Sequence, residues 1–346
     1  MNCQQNDRPG PAEVPNSVNH GAAEIVVACA ANASYALPLA VMLNSLGSHL
    51  PSDCKVVAYL LNDGISQADR DRIAHSLGAR VKICWMQAAS IPSGLPIWGR
   101  MPVTTYQKLF LSEWLPASLK RVIWLDCDLL VLSDISPLWR VALGHGAVWA
   151  VQDQRVPFVF SKGGVAGHRQ LGLSGEAKYF SAGVMVIDLE RWRRNDVAER
   201  SIAYLKKYKR RVHYWDQEAL NAVLAGQWAE LDPRWNWHPT LGSLGRFTAG
   251  RRPLPSDPWI VHFSGNRKPW IDYGAGFYWN RYYRYLDQTA WAGHRPPRHR
   301  RAELMAWYET SWLRRIFYPA ETWAFEVLRS ATREYSEKTE WGANNE

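Results

Sequence analysis

Two carboxylates interrupt an otherwise apolar segment near the middle of the chain. Asp126 and Asp128 stand two residues apart in the run Trp124-Leu125-Asp126-Cys127-Asp128-Leu129-Leu130-Val131-Leu132. Side chains two apart in extended chain project to the same side, so both carboxylates can address one cation. Hard divalent ions prefer carboxylate oxygens, and such an ion would neutralise a diphosphate leaving group. An isolated Asp-x-Asp pair, however, more often only begins a polar turn.

Other polar residues suited to chemistry stand in the second half of the chain. His262 ends an apolar run, where a histidine more often has a structural role than binds a ligand. Gly265 lets the backbone approach a phosphate and Lys268 adds a point charge, although a lone Gly and Lys in a loop usually mean a turn. Asp216 and Gln217 open a helical pattern, and an acidic first turn is also typical of an ordinary helix cap. Taken singly, these residues leave both interpretations open.

The first half of the chain alternates between strand and helix patterns, which predicts a mainly parallel sheet covered on both faces. Asp126 directly follows one apolar strand, and the carboxyl ends of such strands are where open α/β sheets bind ligands. Ser66, with Asp69 three residues on, resembles a capping box and marks a helix start. The predicted elements here are strands at 25–31, 55–61, 80–85 and 121–125, and helices at 37–48, from 66, and at 104–114.

Beyond the carboxylate pair the pattern is less regular. Apolar runs predict strands at 147–151, 179–187 and 259–263, and a helix is predicted from 189 to about 207. Three regions result, namely a flexible leader at 1–22, a single Rossmann-like α/β domain at 23–297, and a basic, aromatic helical extension at 298–346. This extension is suited either to an anionic membrane surface or to packing back on the domain.

The composition narrows the class of protein. Of 346 residues, 47% are hydrophobic and 21% charged, which is typical of a globular chain. A formal charge of +9, with basic clusters at 206–211, 251–252 and 298–301, favours anionic partners such as nucleotide phosphates, anionic lipid or nucleic acid. No recognised nucleic-acid motif accompanies the charge, so we expect no nucleic acid as partner. Five cysteines without paired spacing, no apolar signal segment and no run of spanning length predict a cytoplasmic protein.

Five segments in a fixed order are far more specific than the carboxylate pair alone. From about Ile25 to Trp270 they resemble glycosyltransferase family 8, the retaining enzymes that include bacterial lipooligosaccharide galactosyltransferases and glycogenin. The segments are Thr104-Thr105-Tyr106-Gln107-Lys108-Leu109, Trp124 to Asp128 with Asp134-Ile135-Ser136-Pro137-Leu138-Trp139, Tyr179-Phe180-Ser181-Ala182-Gly183-Val184-Met185, Asp216-Gln217-Glu218-Ala219-Leu220-Asn221, and His262-Phe263-Ser264-Gly265 ending in Lys268-Pro269-Trp270. The resemblance implies an α/β fold of the GT-A type. It also implies transfer of galactose or glucose from a UDP-sugar to a glycan or glycolipid, in cell-envelope polysaccharide or lipopolysaccharide synthesis.

The resemblance further implies which residues bind a cation and the donor. It makes Asp126, Asp128 and His262 the metal ligands, with Mn²⁺ as the usual ion and Mg²⁺ as the alternative, and a mixed oxygen and imidazole set suits Mn²⁺. Asn32 and Tyr35 fall where the family has an Asp-x-Asn-Tyr-like segment that contacts uracil and ribose, and the departure weakens the preference for UDP. The other residues implied to contact the donor are Lys108, Cys127, Ser181, Gly265 and Lys268.

For the sugar and the reaction, the resemblance points to Asp153, Asp216 and Gln217. The family places a Gln nearest the anomeric carbon, at the position of Gln217, and an amide is a poor nucleophile. We therefore expect front-face transfer, in which acceptor and leaving group share one side of the sugar, and in which Asp216 orients the donor. Lys108 stands where family members often have Arg, which keeps the charge but loses the bidentate fork.

An alternative function is a catalytically weak nucleotide-sugar or carbohydrate-binding protein on the same fold. Asn32 and Ser181 leave it open, since both depart from the family pattern, whereas three intact metal ligands would be odd in a degenerate site. Tyr35 and Lys108 also have ordinary interpretations, as a core residue and as part of a solvated helix face. If the extension binds lipid, the protein would be peripheral on the inner face of the cell membrane.

Overall fold

The computed structural model describes residues 23–88, 90–97, 102–142, 144, 146–239, 257–265, 267–272, 274, 277–298, 303, 304 and 307. The predicted leader at 1–22 and nearly all of the predicted extension at 298–346 lie outside these residues. Their boundaries, and contact of the extension with a membrane, therefore stay predictions. Among the described residues, no helix has the length and apolarity needed to cross a bilayer.

Nine strands among the described residues form two sheets. They are β1 Ala23–Asn32, β2 Cys54–Asp63, β3 Val81–Gln87, β4 Arg121–Leu125, β5 Leu129–Val131, β6 Val148–Gln152, β7 Phe180–Asp188, β8 Trp228–Glu230 and β9 Ile260–His262. The larger sheet has the order β3-β2-β1-β4-β7-β6-β8, and β5 pairs with β9 in the smaller one. Pairing is parallel throughout the larger sheet except where β7 runs antiparallel to β4 and β6. The prediction of a mixed, mainly parallel sheet is confirmed.

Helices connect the strands and cover the sheet. The α-helices are α1 Ala36–Ser48, α2 Gln67–His75, α3 Leu111–Trp114, α4 Ser136–Arg140, α5 Leu189–Arg194, α6 Val197–Lys207, α7 Trp215–Leu224 and α8 Phe277–Leu286, and short 3₁₀ helices span Ala33–Tyr35, Val103–Phe110 and Pro233–Asn236. The predicted start of α2 is confirmed, because the Ser66 hydroxyl accepts a hydrogen bond from the Asp69 N–H at 3.1 Å.

Two predicted helices are interrupted. The prediction of a continuous helix from 189 to 207 is wrong. Asp196 adopts a left-handed backbone conformation (φ 47°) between α5 and α6, which separates the two helices. Aspartate is among the few non-glycine residues that visit this region readily. The helix predicted at 104–114 is a 3₁₀ helix over Val103–Phe110, followed by one α-turn, and its β-branched start disfavours a regular α-helix.

The alternating strand pattern divides the core between the two faces of the sheet. On β1, Ile25 and Val27 pack with α1 on one face, whereas Val26 and Ala28 join the cluster around Trp192 on the other. Trp192 is fully buried. Burying one such large side chain contributes about 1.5–3 kcal/mol, so packing on both faces holds the central strands firmly.

The connections bring three chain segments to one edge of the sheet. β1 and β4 are parallel neighbours from which the chain proceeds in opposite directions, the switch point where open α/β sheets bind ligands. The antiparallel β7 begins at this same edge, with Val184 opposite Leu125. The smaller sheet then places His262 opposite Leu129, one residue after Asp128.

Candidate active site

The segment from Asp126 to Asp128 forms a turn between β4 and β5. The N–H of Asp126 donates to the carbonyl of Gly183 at 2.9 Å, and the N–H of Phe263 donates to the carbonyl of Asp128 at 3.0 Å. The prediction that both carboxylates lie on extended chain is therefore wrong, since the chain leaves the larger sheet here to enter the smaller one. Their convergence nevertheless holds, because the turn directs both side chains to one point.

His262 stands where the two carboxylates converge. Its Nε2 lies 3.1 Å from Oδ1 of Asp128 and 3.9 Å from Oδ2 of Asp126. One ligand atom from each of the three residues lies within 4.8 Å of the others. His262 is 5% exposed and Asp128 8%. The structure thus brings together the three residues predicted as metal ligands.

Two buried lysines hold the opposite oxygens of the same carboxylates. Lys108 Nζ lies 3.1 Å from Oδ1 of Asp126 and 2.8 Å from Oδ2 of Asp216, and Lys268 Nζ lies 2.5 Å from Oδ2 of Asp128. Asp126 and Asp128 each therefore keep one oxygen directed toward His262. Lys108 is only 4% exposed, which excludes the solvated helix face considered from the sequence.

Burial and charge act in opposite directions on these groups. Burial raises the pKa of Asp126, although Lys108 opposes the shift. Burial acts the same way on Asp128, but Lys268 and His262 outweigh it and lower its pKa. Burial alone would lower the pKa of Lys108, yet Asp126 and Asp216 together raise it, so this lysine stays charged. Three carboxylates thus face two ammonium groups, and the excess negative charge favours a cation.

The donor set and the space around it fit a divalent cation. Two carboxylate oxygens and one imidazole nitrogen suit Mn²⁺ and similar ions, which accept mixed oxygen and nitrogen ligands. Gly183 leaves the room that this arrangement needs. A Cβ at this position would lie 2.3 Å from Cε1 of His262 and 3.3 Å from Oδ2 of Asp126. Any larger residue at position 183 would therefore displace the imidazole ring of His262.

Gly183→Ala is expected to weaken Mn²⁺ binding by at least about tenfold, because the added methyl group moves His262 away from the carboxylates. Isothermal titration with Mn²⁺ measures the change. Gly78→Ala is the matched control, since nothing lies within 4 Å of a Cβ there and binding should be unaltered. Equal Mn²⁺ affinity in both variants would contradict the role given to Gly183.

Asn236 orients the histidine and was not predicted from the sequence. Its Oδ1 lies 2.9 Å from Nδ1 of His262, and its Nδ2 donates to Oγ of Ser181 at 3.0 Å. Because a carbonyl oxygen only accepts, Nδ1 of His262 carries a proton, and Nε2 is the ring nitrogen that faces the carboxylates and any cation they hold. Ser181, predicted to contact the donor, thus fixes the amide of Asn236. Asn236 ends a 3₁₀ helix in an irregular segment, and no local pattern distinguishes it.

Asn236→Ala is expected to reduce Mn²⁺ affinity by about 10- to 100-fold, since loss of the partner frees the His262 ring and its tautomer. The same titration detects it, with the midpoint of thermal unfolding recorded to verify folding. Asn195→Ala removes a comparable amide on the surface, where it donates to Gln227, and should bind Mn²⁺ normally. A change below about threefold at Asn236 would refute the positioning role.

Gln217, in the first turn of α7, contacts Asp153, which directly follows β6. Nε2 of Gln217 donates to Oδ2 of Asp153 at 3.0 Å, and its Oε1 accepts from the N–H of Ala182 at 3.0 Å. Oδ1 of Asp153 accepts from the N–H groups of Arg155 and Val156. Both ends of the Gln217 amide are therefore engaged, and its oxygen is held by a backbone donor.

Asp216 is not the cap of α7. Its Oδ1 accepts from the Thr105 hydroxyl at 2.7 Å and its Oδ2 pairs with Lys108, so both oxygens face the site. The N-cap is Tyr214, and Glu218, one turn into the helix, accepts at Oε2 from the N–H groups of His213 and Tyr214. The sequence shows three consecutive polar residues at this helix start and gives no local means of separating these roles.

Trp215, immediately before Asp216, adopts a left-handed backbone conformation with φ 41°. A bulky residue rarely occupies this region, and the strain is about 1–3 kcal/mol. Surrounding contacts must therefore impose it, and the fully buried Glu218 binds the N–H groups of the two residues that precede Trp215. The strained turn directs Asp216 toward Lys108.

The residues predicted to contact the nucleotide lie at the ends of β1 and β4. Asn32 caps a 3₁₀ turn, with its Oδ1 accepting from the N–H and the hydroxyl of Ser34. Tyr35 is half-buried and packs edge-to-face with Trp270 at 5.7 Å between ring centroids. Burial and then the charge of Asp128 raise the pKa of Tyr35, so its hydroxyl stays protonated. Tyr35 is therefore close to the candidate metal ligands.

Cys127 and Gly265 flank the cluster in different ways. The Sγ of Cys127 donates to the carbonyl of Ala30 at 3.0 Å and lies 3.1 Å from Sγ of Cys29, so the side chain packs against β1. Contact with a donor would accordingly involve the Cys127 backbone. Gly265 has φ 96°, which favours glycine, and a Cβ there would lie 3.6 Å from Nη1 of Arg155. Arg155 adds positive charge beside this loop and was not predicted.

The strand order, the switch point between β1 and β4, and the carboxylate, imidazole and lysine groups gathered there define the class. This is a transferase of the GT-A type, with a site suited to a nucleotide-linked sugar and a cation.

The chain belongs to glycosyltransferase family 8, since the model described as "Glycosyl transferase family 8" matches residues 26–274. General stress protein A of Bacillus subtilis is 28% identical over 77% of this chain and 94% of that protein. A crystal structure of the galactosyltransferase LgtC with donor and acceptor sugar analogues superposes with a TM-score of 0.66 at 28% identity, covering 77% of this chain and 96% of that one. The probable galacturonosyltransferase-like 6 of Arabidopsis thaliana is 34% identical, over 48% of this chain and 49% of that protein. The family inferred from the five segments is confirmed.

Proposed function

We propose that this protein is a retaining, cation-dependent hexosyltransferase that acts in the cytoplasm. It takes galactose or glucose from a UDP-sugar and transfers it to a glycan or glycolipid acceptor of the cell envelope. The observation that supports this most directly is the geometry of Asp126, Asp128 and His262. Each carboxylate has one oxygen paired with a lysine and the other directed at Nε2 of the histidine. Similarity to a galactosyltransferase supports a hexose as the transferred sugar.

The reaction breaks the bond between the anomeric carbon and the terminal phosphate oxygen and forms a bond from that carbon to an acceptor hydroxyl. A divalent cation, when bound, would neutralise the negative charge that develops on the diphosphate. Lys268, whose Nζ also donates to the carbonyl of Phe263, is held close enough to the ligands to contribute a fixed positive charge. The departing phosphate oxygen takes the proton of the acceptor hydroxyl, which balances the step.

Front-face transfer fits the contacts of the residues nearest the sugar. A double displacement requires a protein nucleophile with an unencumbered oxygen. Both oxygens of Asp216 are engaged, by Thr105 and Lys108, and the Gln217 oxygen accepts from the Ala182 N–H. Asp216 is only 4% exposed. We therefore assign Asp216, Gln217 and Asp153 to orientation of the sugar and to stabilisation of positive charge at its anomeric carbon.

Slow hydrolysis of the donor tests the proposal without knowledge of the acceptor. The purified protein is incubated with UDP-galactose, UDP-glucose and UDP-galacturonic acid, each with Mn²⁺ or EDTA, while released UDP is measured. We expect Mn²⁺-dependent release from one of the two UDP-hexoses, with the first-formed free sugar in the α configuration by ¹H NMR. UDP release from none of the donors, or a β product, would contradict a retaining hexosyltransferase.

A further inference from the structure

A cleft of about 270 Å³ lies beside the candidate active site, between the segment joining β6 to β7 and the turn that follows α6. One wall is backbone and apolar side chains, including Val159, Phe160 and Val165. Four basic residues also line the cleft, His168 from the β6–β7 segment and the others from the turn after α6. These are Arg210, Arg211, His168 and His213.

The two arginines of the cleft are not explained by the helix that precedes them. Basic residues in the last turn of a helix offset its dipole, and Lys206 and Lys207 occupy that position in α6. Arg210 and Arg211 follow the helix end, are exposed, and line the cleft. Arg211 also approaches the Tyr208 ring, with 5.9 Å from its guanidinium carbon to the ring centroid. Planar guanidinium groups in this position are suited to phosphate or carboxylate.

The carboxylate behind the cleft does not neutralise these charges. Glu218 is fully buried, and its oxygens accept from the N–H of Ala166, the Tyr204 hydroxyl and the N–H groups before α7. Through these buried hydrogen bonds Glu218 links the segment that contains Ala166 to the segment that contains His213. Arg210 and Arg211 instead are exposed, so an anion can reach them.

The apolar wall is preformed. A Cβ at Gly164 would lie 2.2 Å from the carbonyl oxygen of Val159, so the chain folds tightly on itself at this point. The Ser161 hydroxyl accepts from the N–H of Phe158, and the N–H of Gly164 donates to the Ser161 carbonyl. The Phe160 ring stacks on Phe158 and is 57% exposed. An exposed, supported aromatic ring beside guanidinium groups suits a sugar that carries an anionic substituent.

The cleft and the candidate site share one segment of chain. His213 lines the cleft and Asp216 faces Lys108, and three residues of extended chain span at most about 11 Å. The Tyr214 ring lies against Gly163 of the apolar wall, since a Cβ at Gly163 would be 2.8 Å from its Cε2. The cleft therefore lies within the length of a short oligosaccharide from Asp216.

We propose that the cleft binds an anionic group, a phosphate or a carboxylate, carried by a sugar residue of the acceptor. That the sugar belongs to an acceptor rests on the proposed function, whereas the existence of the anion site does not depend on it. The concave shape and the single exposed ring favour a small charged sugar over a membrane, which engages extended apolar and basic faces.

Binding of glucose 6-phosphate, measured by isothermal titration at low ionic strength, tests the site. The wild-type protein is compared with Arg210→Gln/Arg211→Gln, and with Lys206→Gln/Lys207→Gln as a control of equal charge change outside the cleft. We expect the arginine variant to lose at least about tenfold in affinity, and the lysine variant to change by less than about threefold. Release of UDP from the donor should be unaltered in both variants.

Three outcomes would overturn the proposal. They are no glucose 6-phosphate binding by the wild type, equal loss in both variants, or tighter binding to phosphatidylglycerol vesicles or RNA that depends on the same arginines. A different result would show that the proposed function fails while the anion site is correct. If the wild type binds glucose 6-phosphate through the arginines but releases no UDP from any donor, the anion site stands and the transferase proposal fails.

Discussion

Asp128→Asn is expected to lower the rate of UDP release from the donor by about 100- to 1,000-fold. The amide keeps the size of the carboxylate but removes the negative charge that faces Nε2 of His262 and Nζ of Lys268. The variant would hold the cation poorly, and Lys268 would lose its partner. The measurement is the initial rate of UDP release at saturating Mn²⁺, with thermal unfolding to confirm that the protein is folded.

Asp134→Asn is the matched control for this prediction. Asp134 lies on the other side of β5 from Asp128, in the loop that follows this strand, where its Oδ1 accepts from the N–H and the hydroxyl of Ser136. Its loss should affect local stability by about 0.5–2 kcal/mol and leave UDP release unchanged. If Asp128→Asn kept more than a tenth of the wild-type rate while remaining folded, the essential role given to this carboxylate would be contradicted.

Lys108→Met is expected to destabilise the protein by about 3–5 kcal/mol, because the buried Asp216 and the partly exposed Asp126 would lose their common cation. Lys108 is 4% exposed and Asp216 equally buried, so solvent screens this pair little. Urea unfolding gives the free energy of unfolding for each variant. The loss should be large enough to be visible as a clear shift of the midpoint.

Two comparisons separate this effect from general damage. Lys120→Met removes an exposed lysine that pairs with Glu190, and it should change the free energy of unfolding by less than about 1 kcal/mol. Adding Asp216→Asn to Lys108→Met should recover part of the loss, because one of the two unpaired charges is removed. A double variant that is no more stable than Lys108→Met would contradict the pairing of Lys108 with both Asp126 and Asp216.

The strands that carry the site were predictable because their signal is local. On β1 and β4 every residue that enters the core is apolar, and the break at Asp126 is visible within that run. The same local signal failed at Asp196, where one residue in a left-handed conformation divides an otherwise continuous helical pattern. It also failed between Val103 and Phe110, where the β-branched start of the segment disfavours an α-helix and a 3₁₀ helix forms.

The residues that complete the site depend on contacts between distant parts of the chain. His262 meets Asp128 only because β9 pairs with β5, more than a hundred positions earlier. Asn236 reaches His262 from an irregular segment. Gly183 is required because the imidazole ring of His262, which is distant in sequence, occupies the space that a side chain would need. The resemblance to a family supplied His262, whereas Asn236 and the hydrogen bonds of Glu218 to the chain before α7 emerged only from the structure.

The most direct test of the account is titration of UDP into the wild-type protein with Mn²⁺ and, separately, with EDTA. If Asp126, Asp128 and His262 hold a cation that contacts the diphosphate, each ligand must strengthen binding of the other, and we expect UDP affinity to rise at least about tenfold with Mn²⁺. The rise should disappear in Asp128→Asn. Equal UDP affinity in Mn²⁺ and EDTA would show that the three residues do not form a nucleotide-linked metal site.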